Sequence, residues 1–132
     1  LDGYKYQKQD MREIKFRAWD KHSKPNKMVA PREGDFIGWH SPSNWRDCYC
    51  VMQYTNLKDK NGKEIYEGDI VSYYNKYSRK TYTHIVKWDD KWACFGLFDE
   101  NSEWCKESDW FKIEKIEVLG NIYEHPHLLK TE

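Results

Sequence analysis

The sequence predicts a mainly β protein, a small sandwich or barrel, on three observations. Its apolar residues recur with a period of two, turn signals interrupt it often, and it is unusually rich in aromatic side chains. The chain has 132 residues, the size of one domain. A third of them are charged and the mean hydropathy is −1.05, a balance that by itself suggests disorder. Seven Trp and ten Tyr reverse that reading, since each aromatic side chain can bury ~150–250 Å² and a few of them build a core.

The elements follow in order. Residues 1–10 show no apolar period and precede Met11, so Met11 is expected to be the native start and the first ten residues non-native or upstream material. In residues 13–19, Ile14, Phe16 and Ala18 alternate with Lys15 and Arg17, a half-buried strand with the apolar set turned inward. Pro25 and Asn26 mark a loop. Residues 28–45 are broken by Pro31, Gly34, Gly38 and Pro42, which predicts short extended pieces between long loops. Residues 48–54 read as a strand of β-branched, aromatic and Cys residues.

Asn61-Gly62 is the strongest turn signal and predicts a type I′ hairpin turn, with both residues at positive φ. Gly68-Asp69 predicts a second turn, where Gly permits the backbone angle and the Asp side chain bonds nearby amides. Residues 83–88 and 92–98 form the next strand pair, joined by Asp89-Asp90-Lys91. Ile116, Val118 and Ile122 line one face of a last strand, with Gly120 as a bulge or point of close approach. Helix signals are confined to residues 102–110, behind an Asn101 or Ser102 cap.

Charge narrows the function classes. Twenty-two basic residues balance twenty-two acidic ones, which argues against a general coat for nucleic acid or an anionic membrane. No apolar run is long enough for a transmembrane helix and no signal-peptide pattern is present, so the expected location is cytoplasmic, with reduced thiols. Cys48 and Cys50 share a strand face, but Cys94 and Cys105 lie far along the chain; buried thiols are expected ahead of a metal site, and no cofactor is expected. His125-Pro126-His127 reads as an exposed tail turn. The carboxylates Asp89, Asp90, Asp99, Glu100, Glu103, Glu107 and Asp109 sit at hairpin ends as a solvated surface, and no spacing points to an enzyme.

Two segments carry the binding expectations. Residues 73–82 place Tyr73, Tyr74, Tyr77 and Tyr82 among Lys76, Arg79 and Lys80, a composition suited to a protein interface and also to single-stranded nucleic acid. Trp39 and Trp45 fall in the glycine- and proline-broken region, where two indoles are rarely buried completely.

Three motifs carry a family resemblance. They are Met11-Arg12-Glu13-Ile14-Lys15-Phe16-Arg17-Ala18-Trp19-Asp20, then the run from Gln53-Tyr54-Thr55-Asn56-Leu57-Lys58-Asp59-Lys60-Asn61-Gly62 through Lys63-Glu64-Ile65-Tyr66-Glu67-Gly68-Asp69-Ile70-Val71, and Val118-Leu119-Gly120-Asn121-Ile122-Tyr123-Glu124-His125-Pro126-His127-Leu128-Leu129. Together they resemble YopX proteins of phages and prophages of Gram-positive bacteria. The resemblance implies one domain over residues 11–129, with an SH3-like barrel in its C-terminal half (about residues 63–123), an N-terminal β extension and homo-oligomers. It implies no chemistry. Where the family usually has Gly this chain has Asn56, the next most tolerant residue for a left-handed backbone. Residues 28–46 match the pattern poorly. The expected function is a non-enzymatic phage accessory role exercised by binding a protein, either itself or a host or phage protein. The alternative is nucleic-acid binding through the aromatic and basic hairpin.

Overall fold

The computed structural model describes residues 12–33, 48–101 and 115–129, and within them the protein is mainly β, built from antiparallel strands. The strands are β1 (Lys15–Asp20), β2 (Lys27–Glu33), β3 (Tyr49–Lys58), β4 (Glu64–Tyr66), β5 (Asp69–Asn75), β6 (Lys80–Asp89), β7 (Cys94–Phe98) and β8 (Glu117–Asn121). A short 3-10 turn, Pro126–Leu129, follows. One four-stranded sheet has the order β2-β1-β3-β4 and the other β7-β6-β5-β8. Within residues 63–123, β4 pairs with β3, while β5 to β8 form the second sheet. Residues 1–10, the region around Trp39 and Trp45, and the helix expected over 102–110 lie outside the described residues.

The core follows from the alternation of β5 and β6. Val71 and Tyr73 of β5 point to the same side as Val86 of β6, and they cluster with Ile65, Leu97, Ile116 and Val118. On the opposite face Ile70 and Ile85 stand directly across from each other and are buried too.

Strand β1 departs from the expected pattern. It runs between β2 and β3, so both its edges are paired, and its Lys15 and Arg17 side chains reach carboxylates of β4 and β5. Lys15 salt-bridges Glu64 at 2.6 Å and lies 5.2 Å above the Tyr54 ring. Arg17 lies 4.8 Å above the Tyr66 ring. Ile14, expected inside, is exposed, whereas Ala18 is fully buried. Neutralisation by carboxylates and contact of the cationic heads with tyrosine faces is what allows cations on an inward face.

The Asn61-Gly62 turn also differs from expectation. Gly62 alone takes a positive φ, +82°, so the turn is not type I′. Asp59 organises it instead: Gly62 N–H donates to Asp59 O at 2.9 Å, and Asp59 Oδ1 accepts from the amides of Asn61 and Lys63. Asp59 Oδ2 accepts from Val118 N–H at 2.9 Å, which ties this turn to β8. A five-residue loop anchored by a carboxylate does not need two left-handed residues.

Other expectations hold or shift slightly. Gly68 has φ +84° and Asp69 Oδ2 accepts from Tyr66 N–H, as the turn reading required. Asn56 has φ +70° and exchanges two hydrogen bonds with the Glu13 backbone. Leu119 is the extra residue of a bulge where Ile70 pairs Gly120 and Val71 pairs Val118. A Cβ on Gly120 would meet His125 Nδ1 at 2.5 Å, so His125 is a packing partner rather than part of a free tail. The β6–β7 hairpin closes at Asp89 and Cys94, which moves Trp92 out of the expected strand and into the loop.

Candidate functional site

The two sheets meet where the chain passes from β4 to β5. Glu67 N–H donates to Gln53 O of β3 at 3.0 Å, and the next amide, Gly68 N–H, donates to Val86 O of β6 at 2.8 Å. Gly68 O in turn accepts from Ile122 N–H at 2.9 Å. These two residues therefore bridge the sheets by main-chain bonds, and Gly68 is needed for its left-handed backbone.

A polar cluster supports the bridge from below. Arg17 Nη2 donates to Asp69 Oδ1 at 2.7 Å and to Glu67 O at 3.2 Å. Burial raises the Asp69 carboxyl above its usual range, and Arg17 and the Tyr66 amide oppose that rise. Arg17 Nε is buried with no hydrogen-bond partner among the described residues. Glu67 Oε1 accepts from Gln53 N–H at 2.7 Å, and burial raises its carboxyl as well.

Beside Gly68 opens a cleft of about 260 Å³, whose lining includes Val51, Met52, Glu67, Val86, Trp88 and Tyr123. Tyr123 stacks on Trp19, with ring centroids 5.7 Å apart. Burial, followed by a hydrogen bond with Cys50, pushes the Tyr123 hydroxyl up to about 12. The shifted groups are anchored in structural bonds: Glu67 caps a β3 amide, Asp69 caps the β4–β5 turn and pairs with Arg17. The cleft mixes apolar side chains with polar atoms, and the polar atoms make up the larger share of its exposed lining.

The aromatic and basic hairpin is divided by its own pleat. Tyr73 is only 5% exposed and belongs to the core, and Tyr82 is half-buried, packed against it and against His84. This corrects the expectation that the tyrosines act together; residues opposite each other on one face share its burial. Tyr74 and Tyr77 are exposed, as are Lys76, Arg79 and Lys80. Tyr74 also lines a shallow groove of about 210 Å³ with Lys60 and Lys115.

Sequence reasoning missed the indoles of the next hairpin. Trp92 is 69% exposed at the β6–β7 turn and Trp88, 45% exposed, stands edge-on to Phe95 at 5.1 Å. The available signal was Trp92 beside Asp90 and Lys91 in turn-forming sequence. The thiols differ from expectation as well: Cys48 is buried, but Cys94 is exposed. Among the described residues no cluster of three or more metal-ligating side chains occurs, and no helix is long and apolar enough to cross a membrane.

Comparison with known proteins places the chain. No curated protein matches it. The crystal structure of protein EF1440 from Enterococcus faecalis is similar, with 26% sequence identity and a TM-score of 0.52, covering 89% of this chain and 98% of that one. The family model for YopX protein matches residues 37–130, which takes in the second and third sequence motifs and the later part of the 28–46 region while leaving out the Met11–Asp20 motif. With that match spanning the β3–β8 strands that build the cleft, the chain belongs to the YopX family.

Proposed function

We propose that this protein is a binding module for polypeptide, acting without catalysis, and that it serves a phage-encoded accessory role in the host cytoplasm. The observation that carries the reading is the pair of indoles on the β6–β7 hairpin, one at the turn and one lining the cleft beside Gly68. Exposed Trp side chains are costly to leave in water and are the side chains most enriched at the energetic centre of protein interfaces. The partner is either a second copy of the chain or a host or phage protein. Sedimentation velocity and capture from host lysate test this with the parent and with Trp92→Ala. Association that is present in the parent and lost in the variant supports the reading. A monomer with no captured partner sinks it.

A second reading, nucleic-acid binding, draws on one specific feature: Tyr74 and Tyr77 remain exposed among Lys76, Arg79 and Lys80, next to the groove edged by Lys60 and Lys115. It is the weaker of the two because the fold buries Tyr73 and half-buries Tyr82 and the net charge is zero. Anisotropy of a labelled single strand decides it. Salt-sensitive binding that weakens in the Arg79→Ala/Lys80→Ala variant favours this reading, and no binding at low salt ends it.

A further inference from the structure

We propose that the cleft between β3 and β6 is a slot for one extended strand of a partner polypeptide, whose main chain pairs with Val51 on one side and Trp88 on the other. This rests on the polypeptide-binding reading and specifies its mode.

The directions of the backbone groups follow from the ladders. Lys21 N–H donates to Cys48 O, and in an antiparallel pair alternate residues turn their N–H and C=O to the same neighbour. Cys48, Cys50 and Met52 therefore face β1, and Val51 and Gln53 face away from it. Gln53 bears this out, because both its N–H and its C=O bond Glu67. The β3–β4 ladder begins only at Tyr54, so Val51 has no strand beside it on this side among the described residues.

The same reasoning applies to β6. Val86 O accepts from Gly68 N–H, so Val86 and Trp88 turn toward the β5 side, while Lys87 and Asp89 turn to Gly96 and Cys94 of β7. The β5–β6 ladder ends at Ile70 and Ile85, and the chain leaves for β4 at Gly68. The Trp88 N–H and C=O thus point into the same cleft as those of Val51, and both residues line it.

The width of the slot is set by the bridge. Glu67 bonds β3 and Gly68 bonds β6, so one chain fills the gap between the strands there. That is about two strand spacings, roughly 9.5 Å. The cleft continues from this point, and only an extended chain supplies donors and acceptors to both walls at once. The rings of Trp88 and Tyr123 offer an apolar wall for one of its side chains, while the main-chain bonds supply affinity with little dependence on sequence. A nucleic acid has no matching ladder of alternating donors and acceptors.

The test uses the full chain labelled with ¹⁵N and the peptides acetyl-Lys-Val-X-Val-Lys-amide, with X as Val, Leu, Phe, Tyr or Arg. At least one peptide is expected to shift the amides of both Val51 and Trp88 and to slow their exchange with solvent. Methylation of the nitrogen of X removes a bond to one wall and should weaken binding about tenfold. Val51→Pro deletes a donor that faces the slot and leaves the β1 ladder intact, so it should weaken binding similarly. The proposal is overturned if no peptide moves both amides or if the methylated peptide binds as well as its parent. Should the Pro variant not fold, the methylated peptide still decides. If the slot fails while the Trp92-dependent association persists, only the strand mode is wrong; if both fail, so does the reading beneath it.

Discussion

Asp59 offers a sharp test of how the two sheets are held in register. Its side chain is 6% exposed and accepts three backbone amides, from Asn61, Lys63 and Val118, each at 2.9 Å. Asp59→Ala leaves all three donors without the carboxylate. At about 1–1.5 kcal/mol for each, the loss is about 3–5 kcal/mol, a large share of the ~5–15 kcal/mol that stabilises a domain. Thermal unfolding followed by circular dichroism should show a midpoint lower by about 10–20 °C. Asp59→Asn keeps one acceptor oxygen but turns an amide group toward at least one donor, so its loss should be smaller, about 1–3 kcal/mol. The pH dependence has a definite sign. Burial pushes the Asp59 carboxyl up, but the Val118, Lys63 and Asn61 amides outweigh it, and its folded value lies below the usual carboxylate range. Its stabilisation is therefore complete above the unfolded value near ~3.9 and is lost as pH falls through the lower folded value. The difference between parent and Asp59→Ala should shrink over that acid window. A variant that unfolds within ~1 kcal/mol of the parent at neutral pH would refute the reasoning.

Further outcomes follow from the same region. Arg17→Met strands the Asp69 carboxylate in the interior and should cost about 3–5 kcal/mol, measured by urea unfolding; a change below ~1 kcal/mol would mean that solvent reaches Asp69. Glu67→Gln keeps an acceptor for Gln53 N–H but removes a charge that burial disfavours. Because the folded Glu67 value is raised, ionisation above the unfolded value near ~4.3 weakens the fold, so this variant should match or exceed the parent in stability at neutral pH and lose that advantage in acid. Gly120→Ala forces a Cβ against His125 and should cost about 1–3 kcal/mol, much less in an His125→Ala background; equal costs in both backgrounds would show that His125 is not the obstacle.

Much of this architecture is written in local sequence. The left-handed positions at Asn56, Gly62 and Gly68 and the close approach at Gly120 follow from residue types that tolerate those conformations, and the structure shows each of them. The mainly β class was legible for the same reason, since turn residues and period-two alternation act within a few positions of themselves. The candidate site was far less legible. The four tyrosines of residues 73–82 look equivalent in sequence, yet the pleat buries Tyr73 and exposes Tyr74. Trp92 falls in a turn and not a strand because the hairpin's closing pair depends on a register that a linear reading does not specify.

The sequence by itself determined where the chain turns and that its strands alternate. Only the tertiary structure decided that Lys15 and Arg17 of β1 are largely buried along with Ala18, and which strands border the cleft beside Gly68. Lys15 and Arg17 take the inward face because Glu64 and Asp69, some fifty residues away, arrive to neutralise them. Val51 and Trp88 face a cleft because β4 and β5 diverge at Gly68 to join different sheets. Long-range pairing settles both matters, and no local property of the residues concerned can encode it.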